Sequence, residues 1–141
     1  MELDTKICKE LISEAIRMLD YSYAPYSYFH VGAALLTKGG KVYTGCNIEN
    51  AGYSPTNCAE RTAFFKAVSE GEREFAAIAI VGGKEGKMED YVAPCGVCRQ
   101  VMVEFCKPEE FWIILARSLE EYQVYTLAEL FPLSFSPKNL E

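Results

Sequence analysis

Three cysteines constrain the fold of this 141-residue chain more than any other feature. Cys58 begins the run Cys-Ala-Glu, and Cys95 and Cys98 belong to the run Pro-Cys-Gly-Val-Cys. Three thiols can hold a zinc ion with its fourth position open, whereas structural zinc sites are closed by four protein ligands. Glu60, two residues after the first thiol, is placed to act on whatever fills that position. The spacing therefore predicts a fold that brings two distant segments together around a catalytic zinc ion.

The cysteine pair alone fits other interpretations. A lone Cys-x-x-Cys at a helix start is also typical of thioredoxin-like redox pairs. A redox pair needs neither the distant Cys58 nor Glu60, so their presence favours zinc. A closed site with Cys46 as fourth ligand would normally show two close cysteine pairs, and the chain has one. We interpret Cys46 as a small hydrophobic residue of the core.

The charge of the chain argues against a nucleic-acid substrate. It has 14 basic and 20 acidic residues and a formal net charge of −6, with no Lys/Arg run that could follow a phosphate backbone. Half of the residues are hydrophobic and 13% are aromatic. This content suits a single domain that spans residues 1–141.

The six cysteines are better explained as reduced thiols than as a disulfide framework, because a chain of this length builds a core without disulfide bonds. Residues 1–17 are charged and amphipathic and lack the uninterrupted apolar run of a signal peptide. No stretch has the length and apolarity of a membrane span. We therefore expect a cytoplasmic protein that does not associate with a membrane.

Apolar periodicity and turn residues predict the element order α-β-β-α-β-α-β-β-α. Asp4 is expected to cap the first helix. The predicted strands are 29–36, 42–46, 75–81, 111–116 and a short one near 123–125, and residues 47–57 are a loop. The second and third helices begin near Cys58 and Gly96. The third helix is expected to bury Val97, Val101, Met102 and Phe105, and Thr126 with Glu129 forms a capping box for the last helix.

This order predicts where the thiols meet. Right-handed β-α-β crossovers place the second and third helices side by side on one face of a mixed sheet, with their N-termini at the same edge. Cys58 then lies at one N-terminus, and Cys95 and Cys98 lie at the other. The positive end of each helix dipole favours the thiolate form. The arrangement allows one trigonal set of thiolates.

The chain resembles the small homotetrameric cytidine deaminases of the three-cysteine zinc type. The resemblance rests on five segments in the family's order: 23–27 (YAPYS), 29–34 (FHVGAA), 45–50 (GCNIEN), 58–61 (CAER) and 94–100 (PCGVCRQ). The zinc motif is shared by several deaminases, including those that act on nucleic acids. Phe29 and the Asn47-x-Glu49 segment narrow the resemblance to deaminases that act on nucleosides.

The resemblance implies a three-layer α/β/α fold with a mixed five-stranded sheet and one zinc ion per subunit. It implies that Asn47 and Glu49 bind the ribose hydroxyls and that Phe29 packs on the pyrimidine. Ala59 is implied to contact the substrate, and Arg61 to hydrogen-bond the zinc thiolates. Without the resemblance, Asn47 and Glu49 would be read as polar loop residues and Arg61 as a surface charge.

The resemblance also implies a shared active site in a homotetramer. Phe135 matches a C-terminal aromatic residue that reaches a neighbour's active site, and Tyr53 matches a residue at the subunit contact, next to the substrate. The plainer interpretations are packing of the tail and anchoring of the loop. Pro55 and Ala93 depart from the pattern that we expect, although the carbonyl of Ala93 remains able to accept a hydrogen bond from the substrate amine.

The implied reaction is hydrolytic deamination of cytidine and deoxycytidine to uridine and deoxyuridine, as in pyrimidine salvage. Glu60 is expected to carry protons from water to ring N3 and then to the departing ammonia. A deaminase of another small aminopyrimidine, such as blasticidin, is the alternative function. A nucleic-acid deaminase would need basic and aromatic surface around the cleft, and a non-catalytic zinc module would have no use for Glu60.

Overall fold

A mixed five-stranded sheet lies at the centre of the protein. The computed structural model describes residues 3–141, so the first two residues of the predicted 1–141 domain lie outside the described range. The strands are β1 (Phe29–Thr37), β2 (Val42–Cys46), β3 (Phe75–Lys84), β4 (Trp112–Ala116) and β5 (Tyr122–Thr126). The helices are α1 (Thr5–Arg17), α2 (Ala59–Ser69), α3 (Gly96–Phe105) and α4 (Leu127–Leu130), with 3₁₀ turns at Met18–Tyr21 and Pro137–Leu140.

The strands follow the spatial order β2-β1-β3-β4-β5. Among the strands within residues 3–141, β3 and β4 are the pair that runs parallel, because α3 provides the crossover between them, and the other neighbouring strands pair antiparallel. The predicted element order and the mixed sheet are confirmed. The short last helix also has the predicted capping box between Thr126 and Glu129.

Helices cover both faces of the sheet, as the three-layer prediction requires. Strand β3 supplies side chains to both sides: Ile78 and Ile80 pack in the cluster that contains α2 and α3, whereas Ala79 and Val81 pack in the cluster that contains α1. Residues 75–83 are all buried, which accounts for the continuous apolar run. Asp4 caps α1 by accepting a hydrogen bond from the Ile7 amide at 2.8 Å.

Two details of the sequence prediction are wrong. Val97 is 57% exposed, and the residues that α3 buries are Cys98, Met102 and Val103. Strand β3 does not stop at Val81 but continues through two glycines to Lys84. A Cβ built on Gly83 would lie 2.9 Å from the carbonyl carbon of Lys87. Glycine at this position therefore allows the backbone at Lys87 to approach the strand closely, and it does not end the strand.

Gly45 fixes the position of the helix that begins at Cys58. Its Cβ, if present, would lie 2.6 Å from the backbone nitrogen of Ala63 and nearer still to the carbonyl of Ala59. The first turn of α2 therefore rests directly on the backbone of β2. None of the helices within residues 3–141 has the length and apolarity needed to cross a bilayer.

Candidate active site

The three thiols meet where two helices begin. Cys58 is the N-cap of α2, Cys95 is the N-cap of α3, and Cys98 lies in the first turn of α3. Their sulfur atoms all lie within 4.8 Å of one another, and the Sγ atoms of Cys58 and Cys95 are 3.7 Å apart. Cys46 is buried in β2, opposite Gly32, and is outside this group. The structure thus brings the predicted three cysteines together.

The surroundings of the thiols favour a thiolate at Cys58. Its pKa is lowered to about 5, first by the hydrogen bond from the Cys98 thiol and also by the guanidinium of Arg61. Nη2 of Arg61 donates to Cys58 Sγ at 3.1 Å, which is the contact that the resemblance implied. The pKa of Cys98 is raised because its proton is held between the two sulfurs.

This donor set fits zinc. Three sulfur ligands suit a borderline-soft ion that takes tetrahedral sites, and an adjacent arginine offsets part of their negative charge. In the described residues, these three thiols form the cluster of potential metal ligands. They leave one tetrahedral position for water or substrate.

Glu60 is a carboxylate buried beside this cluster. It lies in the first turn of α2, is 4% exposed, and is one of two buried polar or charged residues among residues 3–141. Burial raises the pKa of its carboxyl to about 7. A group with this pKa can both accept and donate a proton near neutral pH.

A cavity of about 250 Å³ opens next to the thiols and Glu60. Cys58 and Cys95 line it. Five residues predicted to be catalytic or to bind substrate line it as well: Phe29, Asn47, Glu49, Ala59 and Glu60. Ala93, the residue whose carbonyl was expected to face the substrate amine, is also in the wall. The cavity wall therefore combines sulfur ligands and a buried carboxylate with an aromatic ring and polar side chains.

The side chain of Asn47 is held by three hydrogen bonds. Its Oδ1 accepts from the Val31 amide at 2.9 Å and from the hydroxyl of Ser22, and its Nδ2 donates to the carbonyl of Phe29 at 2.7 Å. One amide hydrogen of Nδ2 is left over for a ligand. Asn47 thus fixes the backbone that carries Phe29.

Glu49 is fixed by the turn that precedes β1. Its carboxylate accepts from the amides of Tyr26 and Ser27 at 2.9 and 3.1 Å and from the hydroxyl of Ser27. The hydrogen bond from the Ser27 hydroxyl lowers the pKa of Glu49. The sequence prediction gave Ser22 and Ser27 no role. Ser27 lies in the YAPYS segment that resembles the family, and this resemblance is the signal that could have identified it as a site residue.

Tyr53 and Phe135 are not part of this cavity. Tyr53 is 74% exposed in the 47–57 loop, with its ring centroid 6.3 Å from that of Tyr26. Phe135 is 59% exposed, and its carbonyl accepts a hydrogen bond from Nε2 of Gln100 at 2.8 Å. Their predicted role at a neighbouring subunit stays a prediction.

Comparison with known proteins identifies relatives over most of the chain. Residues 5–114 match the family described as cytidine and deoxycytidylate deaminase zinc-binding region. The cytidine deaminase of Sporosarcina psychrophila is 49% identical over 132 residues, which are 94% of this chain and 93% of that protein. That of Halalkalibacterium halodurans is 49% identical over 92% of this chain and 95% of its own. The crystal structure of cytidine deaminase from Burkholderia pseudomallei superposes with a TM-score of 0.81 at 48% identity, covering 89% of this chain and 97% of that chain.

Proposed function

The chain belongs to the cytidine and deoxycytidylate deaminase family, and we propose that it converts cytidine and deoxycytidine to uridine and deoxyuridine with release of ammonia. It is a hydrolytic enzyme that uses zinc. The observation that carries the proposal is the buried Glu60 beside three clustered thiols, in the wall of a cavity that is also lined by an aromatic side chain. A non-catalytic zinc site would not require a buried carboxylate there.

Cys58, Cys95 and Cys98 would hold the zinc ion. When bound, zinc supplies the Lewis acidity that makes water a nucleophile at neutral pH. Arg61 stabilises the thiolate of Cys58 through its hydrogen bond and reduces the net negative charge of the ligands. This matters because three thiolates would otherwise weaken the ion as a Lewis acid.

Glu60 moves the protons of the reaction. Its carboxylate accepts a proton from the attacking water and delivers it to ring N3, which makes C4 electrophilic. It then takes the proton of the new hydroxyl at C4 and delivers it to the amino group, which leaves as ammonia. A pKa near 7 suits a group that must act as both base and acid.

The remaining residues of the cavity bind and orient the substrate. The ring of Phe29 packs on the pyrimidine, and the carbonyl of Ala93 accepts a hydrogen bond from the exocyclic amine. Asn47 and Glu49 bind the ribose hydroxyls, for which they retain one amide hydrogen and free carboxylate lone pairs. Ala59 forms part of the wall next to the reacting carbon.

Three wider properties belong to the same proposal. The enzyme acts as a homotetramer in which Tyr53 and Phe135 reach the substrate region of a neighbouring subunit. It works in the cytoplasm, in pyrimidine salvage. It does not act on cytosine within nucleic acids, because its net charge of −6 opposes a phosphate backbone.

A substrate panel tests this proposal directly. The purified protein is given cytidine, deoxycytidine, free cytosine, blasticidin and a cytosine-containing single-stranded oligonucleotide, and loss of the amine is followed by absorbance. We expect turnover of the two nucleosides, with little or none of the other three. Preferential turnover of blasticidin would favour the alternative function, and efficient turnover of the oligonucleotide or free cytosine would contradict the assignment of a sugar-binding end.

A further inference from the structure

Arg99 connects the start of α3 to a segment far away in the sequence. Its Nε donates to the carbonyl of Pro94 at 2.8 Å, and its Nη1 donates to the carbonyl of Leu130 at 2.7 Å. The two carbonyl acceptors belong to different segments of the chain. A guanidinium can bind both because its N–H donors have fixed, divergent directions. The side chain immediately follows the thiol Cys98.

The Pro94 carbonyl lies in a segment with few other constraints. Within the described residues, segment 90–94 makes no backbone–backbone hydrogen bond. The hydrogen bond from Arg99 Nε to the Pro94 carbonyl therefore holds this segment to α3. Ala93 on one side lines the cavity, and Cys95 on the other carries a thiol of the cluster. Any rotation of the backbone at Pro94 would move both.

The second acceptor anchors the C-terminal part of the chain. The carbonyl of Leu130 closes α4, and the last carbonyls of a helix have no partner within that helix. Next along α3, Gln100 donates to the carbonyl of Phe135 at 2.8 Å. Helix α3 therefore holds both ends of segment 130–135, while its N-terminus carries Cys95 and Cys98.

We propose that Arg99 is a positioning residue that fixes segment 93–95, and with it Cys95 and the cavity wall at Ala93, against the end of α4. The proposal rests on the proposed function in taking Cys95 as a zinc ligand. Residues that orient metal ligands through hydrogen bonds typically change metal affinity or activity by about 10–100-fold when they are removed. We expect Arg99 to act in that range.

The test compares Arg99→Met with Arg73→Met. Arg73 is a matched control because its Nη1 also donates to two carbonyls, those of Val68 and Glu72, both at 2.8 Å, but at the far end of α2. The readouts are the rate of zinc loss to an excess of chelator and the thiolate-to-metal charge-transfer bands of the cobalt-substituted protein. We expect zinc loss about 10–100-fold faster and altered bands for Arg99→Met, with both readouts unchanged for Arg73→Met.

Arg99→Lys provides the second variant, because a lysine keeps the charge but cannot serve both carbonyls in the same geometry. We expect it to lie between wild type and Arg99→Met, and it decides the question by the same readouts if Arg99→Met does not fold. Wild-type zinc release and cobalt bands in the folded variant would overturn the proposal. An inactive wild-type protein with a normal cobalt spectrum would overturn only the proposed function, whereas a wild-type protein that binds no cobalt would overturn both.

Discussion

At the level of single residues, Glu60 combines burial with a position next to the thiol cluster. A buried carboxylate is unfavourable in its charged form, and burial is the main cause of its raised pKa. That cost is tolerated because the side chain follows a helix N-cap, Cys58, whose thiol belongs to the cluster. Because Glu60 lies two residues after Cys58, in the first turn of α2, its buried carboxylate lies beside the thiol cluster.

Glu60→Gln is expected to keep the fold and one zinc ion per chain while it loses nearly all turnover. Glutamine has almost the same shape but cannot carry a proton between atoms, and general acid–base groups contribute about 10²–10⁴-fold to rate. Metal content, the unfolding temperature and kcat for cytidine are measured together. Glu104→Gln, an exposed glutamate in α3, serves as the control and should retain full activity. Near-wild-type turnover of Glu60→Gln would rule out the assigned proton path.

At the scale of elements, the site depends on how closely α2 approaches the sheet. Cys58 can reach the α3 thiols only if the first turn of α2 rests on the backbone of β2, and Gly45 makes that contact possible. Helix α3 meets the same edge because the crossover from β3 to the parallel strand β4 places it beside α2.

Gly45→Ala is therefore expected to destabilise the protein and loosen the zinc site. Its methyl group would meet the backbone of α2, and overpacking of this kind typically costs about 1–3 kcal/mol. Denaturant unfolding gives the change in stability, and zinc loss to a chelator reports on the site. Gly39→Ala is the control, because its nearest neighbour is the Thr37 hydroxyl at 3.8 Å. If Gly45→Ala were as stable as Gly39→Ala, the close approach would not constrain α2.

Much of the arrangement of elements could be predicted from sequence because each signal is local. Asp4 precedes an amphipathic run, and the cysteine motifs coincide with helix starts. The error at Val97 arose because helical periodicity in a short helix does not say which face of its first turn is covered. The contact of Arg99 with Leu130 could not be predicted either, since it joins residues 31 positions apart through tertiary packing.

At the level of the whole molecule, the C-terminal segment leaves large apolar side chains exposed to solvent. Leu133 is fully exposed and Phe135 is largely exposed, although α3 anchors the backbone of this segment. Exposed apolar groups that lie close together commonly mark interfaces. This is the physical argument for the proposed homotetramer, since a domain of this length does not need partners to build its core.

Phe135→Ala is expected to raise KM for cytidine without loss of zinc, because the proposal sends this ring into a neighbour's substrate region. Leu140→Ala removes another exposed apolar side chain of the tail and is the control. Light scattering reports the assembly state of each variant beside its kinetics. A fully active monomer would refute the shared site, whereas a tetramer with unchanged KM in Phe135→Ala would refute only the role of that residue.

A zinc titration of the metal-depleted protein, with cytidine turnover as the readout, tests whether the three thiols form an open catalytic zinc site. We expect turnover to be absent without metal, to rise linearly with added zinc and to reach its plateau at one ion per chain. Cys46→Ala should give the same curve, because Cys46 lies outside the thiol cluster. Turnover that survives removal of the metal, or a Cys46→Ala variant that no longer binds zinc, would contradict an open three-thiol catalytic site.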